Sequence, residues 1–200
     1  MRRNTLIALL IVLAASGAAF AGRFNKVLSV GDAAPSWLSV AGTDDKQHGL
    51  DDYKSAKVVV AVFTCNHCPV AQQYEDRLIQ LQKDYQDKGV QVIALCVNTG
   101  DEDSLAAMKE RATAKEFNFP YLSDPTQAAG RLYGAQKTPE AFVLDGNRKV
   151  VYMGAIDDSW ADATAVKKPY LRNAIDAVLA GRTPDVQEMR ATGCGIEYSR

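Results

Sequence analysis

A continuous apolar stretch that ends at a pair of cysteines constrains this chain more than any other feature. Residues 58–63 are Val-Val-Val-Ala-Val-Phe, which is typical of a β-strand buried on both faces. Cys65 and Cys68 come directly after it. Beyond them, apolar residues recur at steps of three and four, as on one face of a helix: Val70, Tyr74, Leu78, Leu81 and Tyr85. The stretch therefore predicts a strand, a Cys-x-x-Cys pair and an amphipathic helix in direct succession.

The spacing of the two cysteines indicates redox chemistry. Side chains three residues apart on a helical turn are neighbours, so the sulfurs of Cys65 and Cys68 can form a disulfide. The first turn of a helix has unpaired N–H groups and partial positive charge, which we expect to stabilise a thiolate on Cys65. A charged His67 would favour that thiolate further. Pro69 suits a first helical turn. We predict that Cys65 attacks, Cys68 resolves and His67 tunes the pKa.

Two other interpretations of the pair remain open. A purely structural disulfide would gain little, because closing a four-residue ring contributes about 2 kcal/mol, whereas a ring from Cys65 to Cys194 would contribute roughly 5 kcal/mol. A zinc site built from Cys65, His67 and Cys68 lacks a fourth ligand, and the other histidine of the chain is His48. Redox exchange is therefore the favoured hypothesis, and we expect no metal.

The first residues have the pattern of a cleavable signal peptide, residues 1–21. Arg2 and Arg3 are followed by an apolar segment at 6–15 and by the small-residue sequence Ala-Phe-Ala at 19–21. An uncleaved anchor is the alternative. Cleavage before Gly22 would release the protein to the periplasm or outside the cell, without a membrane span, where disulfides persist.

The remaining chain is long enough for one domain with its own core, which we place at 22–182, followed by a C-terminal tail at 183–200. The formal net charge of −1 gives no indication of nucleic-acid binding. Near the start of the domain, residues 37–40 are predicted to form a short strand.

Thr138 and Pro139 stand directly before an apolar strand predicted at 141–144. A cis-proline here would bring the Thr138 backbone close to the sulfurs, where an incoming peptide could pair with it. The alternative is an ordinary trans-proline at the first residue of a strand. Asp145-Gly146 predicts a hairpin turn after this strand.

Two further cysteines lie outside the pair. Cys96 falls within an apolar strand and is interpreted as a small buried hydrophobe. Cys194 lies between two glycines in the tail, so it is a possible third thiol that could reach the active pair; a passive cysteine is the alternative.

Together these motifs resemble the thioredoxin-like superfamily. Within it they are similar to the peroxiredoxin-like branch of alkyl hydroperoxide reductase and thiol-specific antioxidant proteins. The likeness is carried by the Asn-His-Cys-Pro segment at 66–69, by Thr138-Pro139, by Ile-Asp-Asp-Ser at 156–159 and by Gly-Cys-Gly-Ile at 193–196. It covers most of residues 27–197.

The resemblance implies an α/β fold with a central mixed sheet and helices on both faces. It also implies thiol–disulfide exchange at Cys65 and Cys68, with no cofactor. The expected partners are protein thiols or disulfides and a membrane or periplasmic redox donor or acceptor.

The chain departs from the family pattern at two positions. Thioredoxin carries a buried carboxylate six residues before its first cysteine, where this chain has Val59. Peroxiredoxins place a threonine three residues before the peroxide-attacking cysteine, whereas Thr64 is four residues before Cys68. The mismatch at Thr64 counts against a peroxide-attacking cysteine, so a thiol peroxidase is the alternative to the oxidoreductase and not the first choice. A binding protein that has kept the motif without catalysis is a further alternative.

Overall fold

The computed structural model describes residues 22–200, so the predicted signal peptide lies outside the described residues. The strands are β1 (Val40–Gly42), β2 (Gln47–His48), β3 (Val58–Phe63), β4 (Val90–Cys96), β5 (Tyr121–Ser123), β6 (Lys137–Thr138), β7 (Glu140–Leu144), β8 (Val150–Gly154), β9 (Glu188–Met189) and β10 (Cys194–Gly195). The helices are α1 (Pro69–Tyr85), α2 (Leu105–Ala114), α3 (Ala128–Tyr133) and α4 (Tyr170–Leu179). Within this part of the chain, eight strands form one sheet in the order β2-β1-β5-β4-β3-β7-β8-β9, and β10 pairs with β6 in a second, small sheet.

The predicted central strand is confirmed as β3. It pairs in parallel with β4 on one side and antiparallel with β7 on the other, and each of its residues is buried. Alternate side chains enter the two cores, so that Val60 belongs to one apolar cluster and Ala61 to the other. Burial on both faces explains why the strand is apolar throughout.

Helices cover both faces of the sheet. On the first face, α1, α2 and α4 contribute Leu78, Met108 and Leu171 to one apolar cluster. On the second face, α3 contributes Tyr133, which packs with Trp37 from the segment that precedes β1. The mixed sheet between two helical layers confirms the predicted α/β architecture.

The predicted hairpin after β7 is confirmed. The side chain of Asp145 accepts hydrogen bonds from the N–H groups of Asn147 and Lys149 at 2.8 and 2.9 Å, and β8 returns antiparallel to β7. The prediction of a strand at 37–40 is wrong, because β1 begins only at Val40. Ser39 has a φ of 54°, which interrupts the extended backbone before that point.

The segment predicted as a tail, 183–200, lies against the domain. β9 pairs in parallel with β8, and β10 pairs antiparallel with β6. No helix among residues 22–200 is long and apolar enough to cross a membrane.

The packing of α4 gives a test of the fold. Leu171 is 0 % exposed, so Leu171→Ala removes buried apolar contacts and leaves a cavity, and it should lower the free energy of unfolding by about 3 kcal/mol. Leu132, on α3, is 47 % exposed, and Leu132→Ala should cost less than about 0.5 kcal/mol. Urea denaturation of both variants checks this. Equal losses would contradict the packing described for α4.

Candidate active site

The helix that follows the cysteine pair begins at the proline that the sequence placed in its first turn. Pro69 is the first residue of α1, and Cys68 is its N-cap, with the Cys68 sulfur 3.5 Å from the Ala71 N–H. Proline favours the first helical position, so the residue before it becomes the cap. Cys65 lies before the helix. The first-turn N–H of Ala71 faces Cys68 rather than Cys65, and the thiolate predicted on Cys65 is favoured only by the Cys68 N–H and by Thr138.

Cys65 lies in an enclosed position. The residue is 2 % exposed, and its thiol donates to the Thr138 hydroxyl oxygen at 3.2 Å. The hydrogen bond that it makes with Cys68 and its burial raise the pKa of the Cys65 thiol well above its ordinary range. The structure therefore does not support an easily ionised Cys65.

Cys68 is the sulfur that the structure favours as a thiolate. The hydrogen bond from Cys65, aided by bonds from Cys194 and the Ala71 N–H, lowers the pKa of the Cys68 thiol below its ordinary range, although burial opposes the shift. When protonated, Cys68 lies where it can donate to the Thr138 carbonyl oxygen at 3.1 Å. A thiol is a weak hydrogen-bond donor, so little stabilisation is lost when Cys68 ionises and no longer donates to Thr138. The bonds that the Cys68 sulfur accepts become stronger, because they are then made to a charged group.

The segment before β7 approaches both sulfurs. The Thr138–Pro139 peptide bond is cis, so of the two alternatives that the sequence left open, the cis-proline is the one present. Thr138 is fully buried, with its hydroxyl at Cys65 and its carbonyl oxygen at Cys68. The predicted docking edge at Thr138 is not open, however, since Cys194 on β10 pairs with it.

Asp103 is a site residue that the sequence analysis missed. It is 2 % exposed and lies under the Cys-x-x-Cys loop. One carboxylate oxygen accepts from the Asn66 N–H at 2.7 Å, and the other is hydrogen-bonded to Nδ1 of His67. No local pattern could indicate this contact, because 36 residues separate His67 from Asp103.

His67 is therefore paired with a carboxylate rather than with a thiolate. Its side chain is 37 % exposed, and its Nδ1 faces Asp103. The negative charge of Asp103 also contributes, after hydrogen bonding and burial, to the raised pKa of Cys65. The loop thus places its charge so as to keep Cys65 protonated, and His67 partly offsets that charge when it is protonated.

Cys65, His67 and Asp103 are the residues that could hold a metal ion. One potential ligand atom from each lies within 4.8 Å of the others. Asp103 already accepts hydrogen bonds on both oxygens, and a tetrahedral zinc would need a fourth ligand. The hydrogen bonds account for this cluster without an ion.

Two cysteines lie outside the predicted pair. Cys96 is 1 % exposed at the end of β4, and burial raises the pKa of its thiol to about 12. It fits the predicted role of a small buried hydrophobe. Cys194 is half-buried and packs against the apolar cluster that contains Cys65 and Cys68. Cys96 belongs to the same cluster, so Cys194 differs from it by pairing with Thr138 beside the active pair.

A cysteine pair at the start of a helix, beside a cis-proline at the end of a mixed sheet, defines the thioredoxin-like class of proteins. The model of the AhpC/TSA family matches residues 30–153. The chain belongs to this family.

Relatives and solved structures agree with this assignment. The chain is 29 % identical over 158 residues to the thiol-disulfide oxidoreductase ResA of Bacillus thuringiensis (strain Al Hakam), a match that covers 76 % of this chain and 88 % of the relative. An uncharacterized conserved protein from Geobacillus kaustophilus is 33 % identical with a TM-score of 0.81, over 88 % of this chain and 95 % of that one. A putative thiol:disulfide interchange protein DsbE from Chlorobium tepidum is 25 % identical with a TM-score of 0.59, over 77 % and 97 %.

The buried carboxylate under the loop gives a second test. Asp103→Ala leaves the Asn66 N–H without its acceptor, so it should lower the free energy of unfolding by about 2 kcal/mol. Asp101, in the same short helix, is exposed, and Asp101→Ala should change stability by less than about 0.5 kcal/mol. Urea denaturation of the reduced proteins measures both. An Asp103→Ala protein as stable as Asp101→Ala would show that the carboxylate does not anchor the loop.

The lowered pKa of Cys68 makes the stability of the reduced protein depend on pH. Its thiolate stabilises the fold in full above the ordinary cysteine pKa of about 8.5, and this contribution is lost as pH falls through the lowered pKa of the folded protein. The stability difference between wild type and Cys68→Ser should therefore increase as pH rises across that window.

Cys96→Ser is the matched control. The pKa of Cys96 is raised to about 12, so its contribution changes only above the ordinary cysteine pKa of about 8.5. The difference in the free energy of unfolding between Cys96→Ser and wild type should therefore be constant at pH values below about 8.5. Chemical denaturation of reduced proteins at a series of pH values measures both differences, and a constant difference for Cys68→Ser would contradict the lowered pKa.

Proposed function

We propose that the protein is a thiol–disulfide oxidoreductase that acts on protein thiols or disulfides. The observation that carries the proposal is the Cys68 sulfur at the N-terminus of α1, in hydrogen-bond contact with Cys65 and next to Thr138. In this proposal Cys68 is the attacking thiolate and Cys65 is the resolving thiol, the reverse of the order that the sequence suggested.

The reaction follows from these positions. The Cys68 thiolate attacks one sulfur of a partner disulfide, forms a mixed disulfide and releases the other partner sulfur as a thiolate, which takes up a proton. Cys65 then loses its proton and attacks Cys68, which forms the Cys65–Cys68 disulfide and releases the second partner thiol. Two electrons pass from the pair to the partner, and the reverse sequence oxidises a partner dithiol.

The electrostatics favour the oxidising direction. A low pKa at Cys68 stabilises the reduced form at neutral pH, which makes the disulfide a stronger oxidant. The same property makes Cys68 a good leaving group when a partner thiolate attacks a mixed disulfide. His67 lies beside Asp103, and we propose that this contact tunes the balance between the two directions.

The proposed setting is the cell envelope. The signal-peptide pattern at 1–21 supports export. Outside the cytoplasm, the environment is oxidising, so partner proteins there can carry disulfides. The names of the Bacillus and Chlorobium proteins support an exchange reaction on disulfides, and we propose a periplasmic or membrane redox protein as the second partner.

A redox titration against glutathione tests the oxidoreductase proposal. Wild type should convert between a dithiol and a Cys65–Cys68 disulfide, and Cys68→Ser should lose dithiol–disulfide exchange with a reporter protein entirely. Cys96→Ser should retain exchange at the wild-type rate, because Cys96 is 1 % exposed and the pKa of its thiol is raised to about 12. A wild-type protein whose two cysteines stay reduced at every glutathione ratio would favour the non-catalytic binding protein instead.

A thiol peroxidase is the second candidate, and the family match favours it. An ionised Cys68 could attack hydrogen peroxide to give a sulfenic acid and water, after which Cys65 would condense with it to the disulfide. Peroxide consumption with dithiothreitol as the donor separates the candidates. Rapid consumption that depends on Cys68 supports the peroxidase. Exchange activity without peroxide consumption supports the oxidoreductase.

A further inference from the structure

The tail of the chain occupies the strand position beside the cis-proline. β10 runs antiparallel to β6, with Cys194 directly opposite Thr138. Residues directly opposite each other in an antiparallel pair project their side chains to the same face. The Thr138 side chain points to Cys65, at 3.2 Å, so the pairing directs the Cys194 side chain toward the cysteine pair.

Cys194 lies close to Cys68. Both residues lie against Thr138, since Cys194 pairs with it across the strands and the Cys68 sulfur is 3.1 Å from its carbonyl oxygen. Cys194 also contributes, through hydrogen bonding, to the lowered pKa of Cys68. Its side chain also packs on the apolar cluster to which both active cysteines belong. Three sulfurs are therefore grouped around Thr138, and Cys68 lies in contact with each of the other two.

Access to the surface differs among the three cysteines. Cys65 and Cys68 are 2 % and 0 % exposed, whereas Cys194 is half-buried. A partner protein that approaches the folded molecule therefore meets Cys194 before it meets either member of the pair.

Gly193 allows the tail to lie this close. A Cβ atom at residue 193 would be 2.0 Å from the Thr138 carbonyl oxygen, which no side chain can tolerate. A Cβ atom at residue 195, on the other side of Cys194, would have no neighbouring atom within 4 Å. The two glycines thus differ in function, because only Gly193 is required for the close contact with β6.

We propose that Cys194 is a third redox-active thiol, which exchanges a disulfide with Cys68 and presents it to the partner at the surface. The proposal rests on the proposed function, since it requires a disulfide that is first formed between Cys65 and Cys68.

The exchange is balanced within the chain. Cys194 loses its proton and attacks Cys68, forming the Cys68–Cys194 bond and breaking the Cys65–Cys68 bond, and Cys65 leaves and takes up a proton. A partner thiolate then attacks Cys194 and releases the Cys68 thiolate. A second partner thiol attacks the mixed disulfide, which leaves the partner oxidised and Cys194 reduced.

The direct test uses Cys65→Ser, in which Cys194 is the remaining thiol in contact with Cys68 among the described residues. The reduced variant is oxidised with glutathione disulfide, quenched in acid and mapped by mass spectrometry. We expect the Cys68–Cys194 disulfide as the main product. Adding Gly193→Ala should slow its formation roughly a hundredfold, because the tail is displaced from Cys68, whereas adding Gly195→Ala should leave the rate unchanged.

The outcomes separate this proposal from the proposed function. If Cys194 ends as a free thiol or a glutathione adduct while wild type forms the Cys65–Cys68 disulfide, the role of Cys194 is overturned and the oxidoreductase proposal stands. If wild type forms only the Cys68–Cys194 disulfide, the role of Cys65 as resolving thiol is overturned and the third thiol is supported. Equal rates in Gly193→Ala and Gly195→Ala would also count against the proposal. A normal Cys65–Cys68 titration in a Gly193→Ala protein that retains Cys65 shows that its core is intact.

Discussion

The hydrogen bonds that converge on the Cys68 sulfur are the interaction on which the rest of the site depends. They require a helix that begins at Pro69, a strand that ends at Phe63 and a short loop between them. Because β3 is held in the middle of the sheet and α1 is packed on it, the position of the N-cap is fixed by the core. The low pKa of Cys68 is thus a consequence of the fold rather than of its neighbours in sequence alone.

The two cysteines of the motif are made different by their surroundings. The Cys68 sulfur faces the Ala71 N–H, whereas Cys65 lies near the charge of Asp103, and the hydrogen bond between the two thiols favours the Cys68 thiolate. A thiol that stays protonated next to a thiolate suits a resolving role, since it attacks only after the neighbouring sulfur has formed a mixed disulfide. At Val59, where thioredoxin has a buried carboxylate, this chain has none. Asp103, from another element, supplies a buried carboxylate at the loop instead.

Most of the fold and part of the site could be predicted from the sequence. The strand at 58–63 and the hairpin at Asp145 were correct because their patterns are local: burial on both faces and turn chemistry. The sequence placed the thiolate on Cys65, whereas we propose Cys68, because Cys68 is the N-cap of the helix and its sulfur faces the Ala71 N–H. Asp103 could not be found, since nothing in its own segment shows that it lies under a loop formed much earlier in the chain.

The C-terminal segment shows the same limit. Glycines on both sides of Cys194 suggested mobility, but the contacts show that Gly193 permits close packing instead. The segment covers the edge at Thr138, and it links the chemistry of the pair to the molecular surface.

The most direct test of this account is an NMR titration of the reduced protein with isotope-labelled cysteine Cβ atoms, assigned with single Cys→Ser variants. We expect the Cys68 resonance to titrate below the ordinary cysteine pKa, while that of Cys65 stays in its thiol position to strongly alkaline pH. A Cys65 resonance that titrates in the acid range, with Cys68 unchanged through neutral pH, would contradict it.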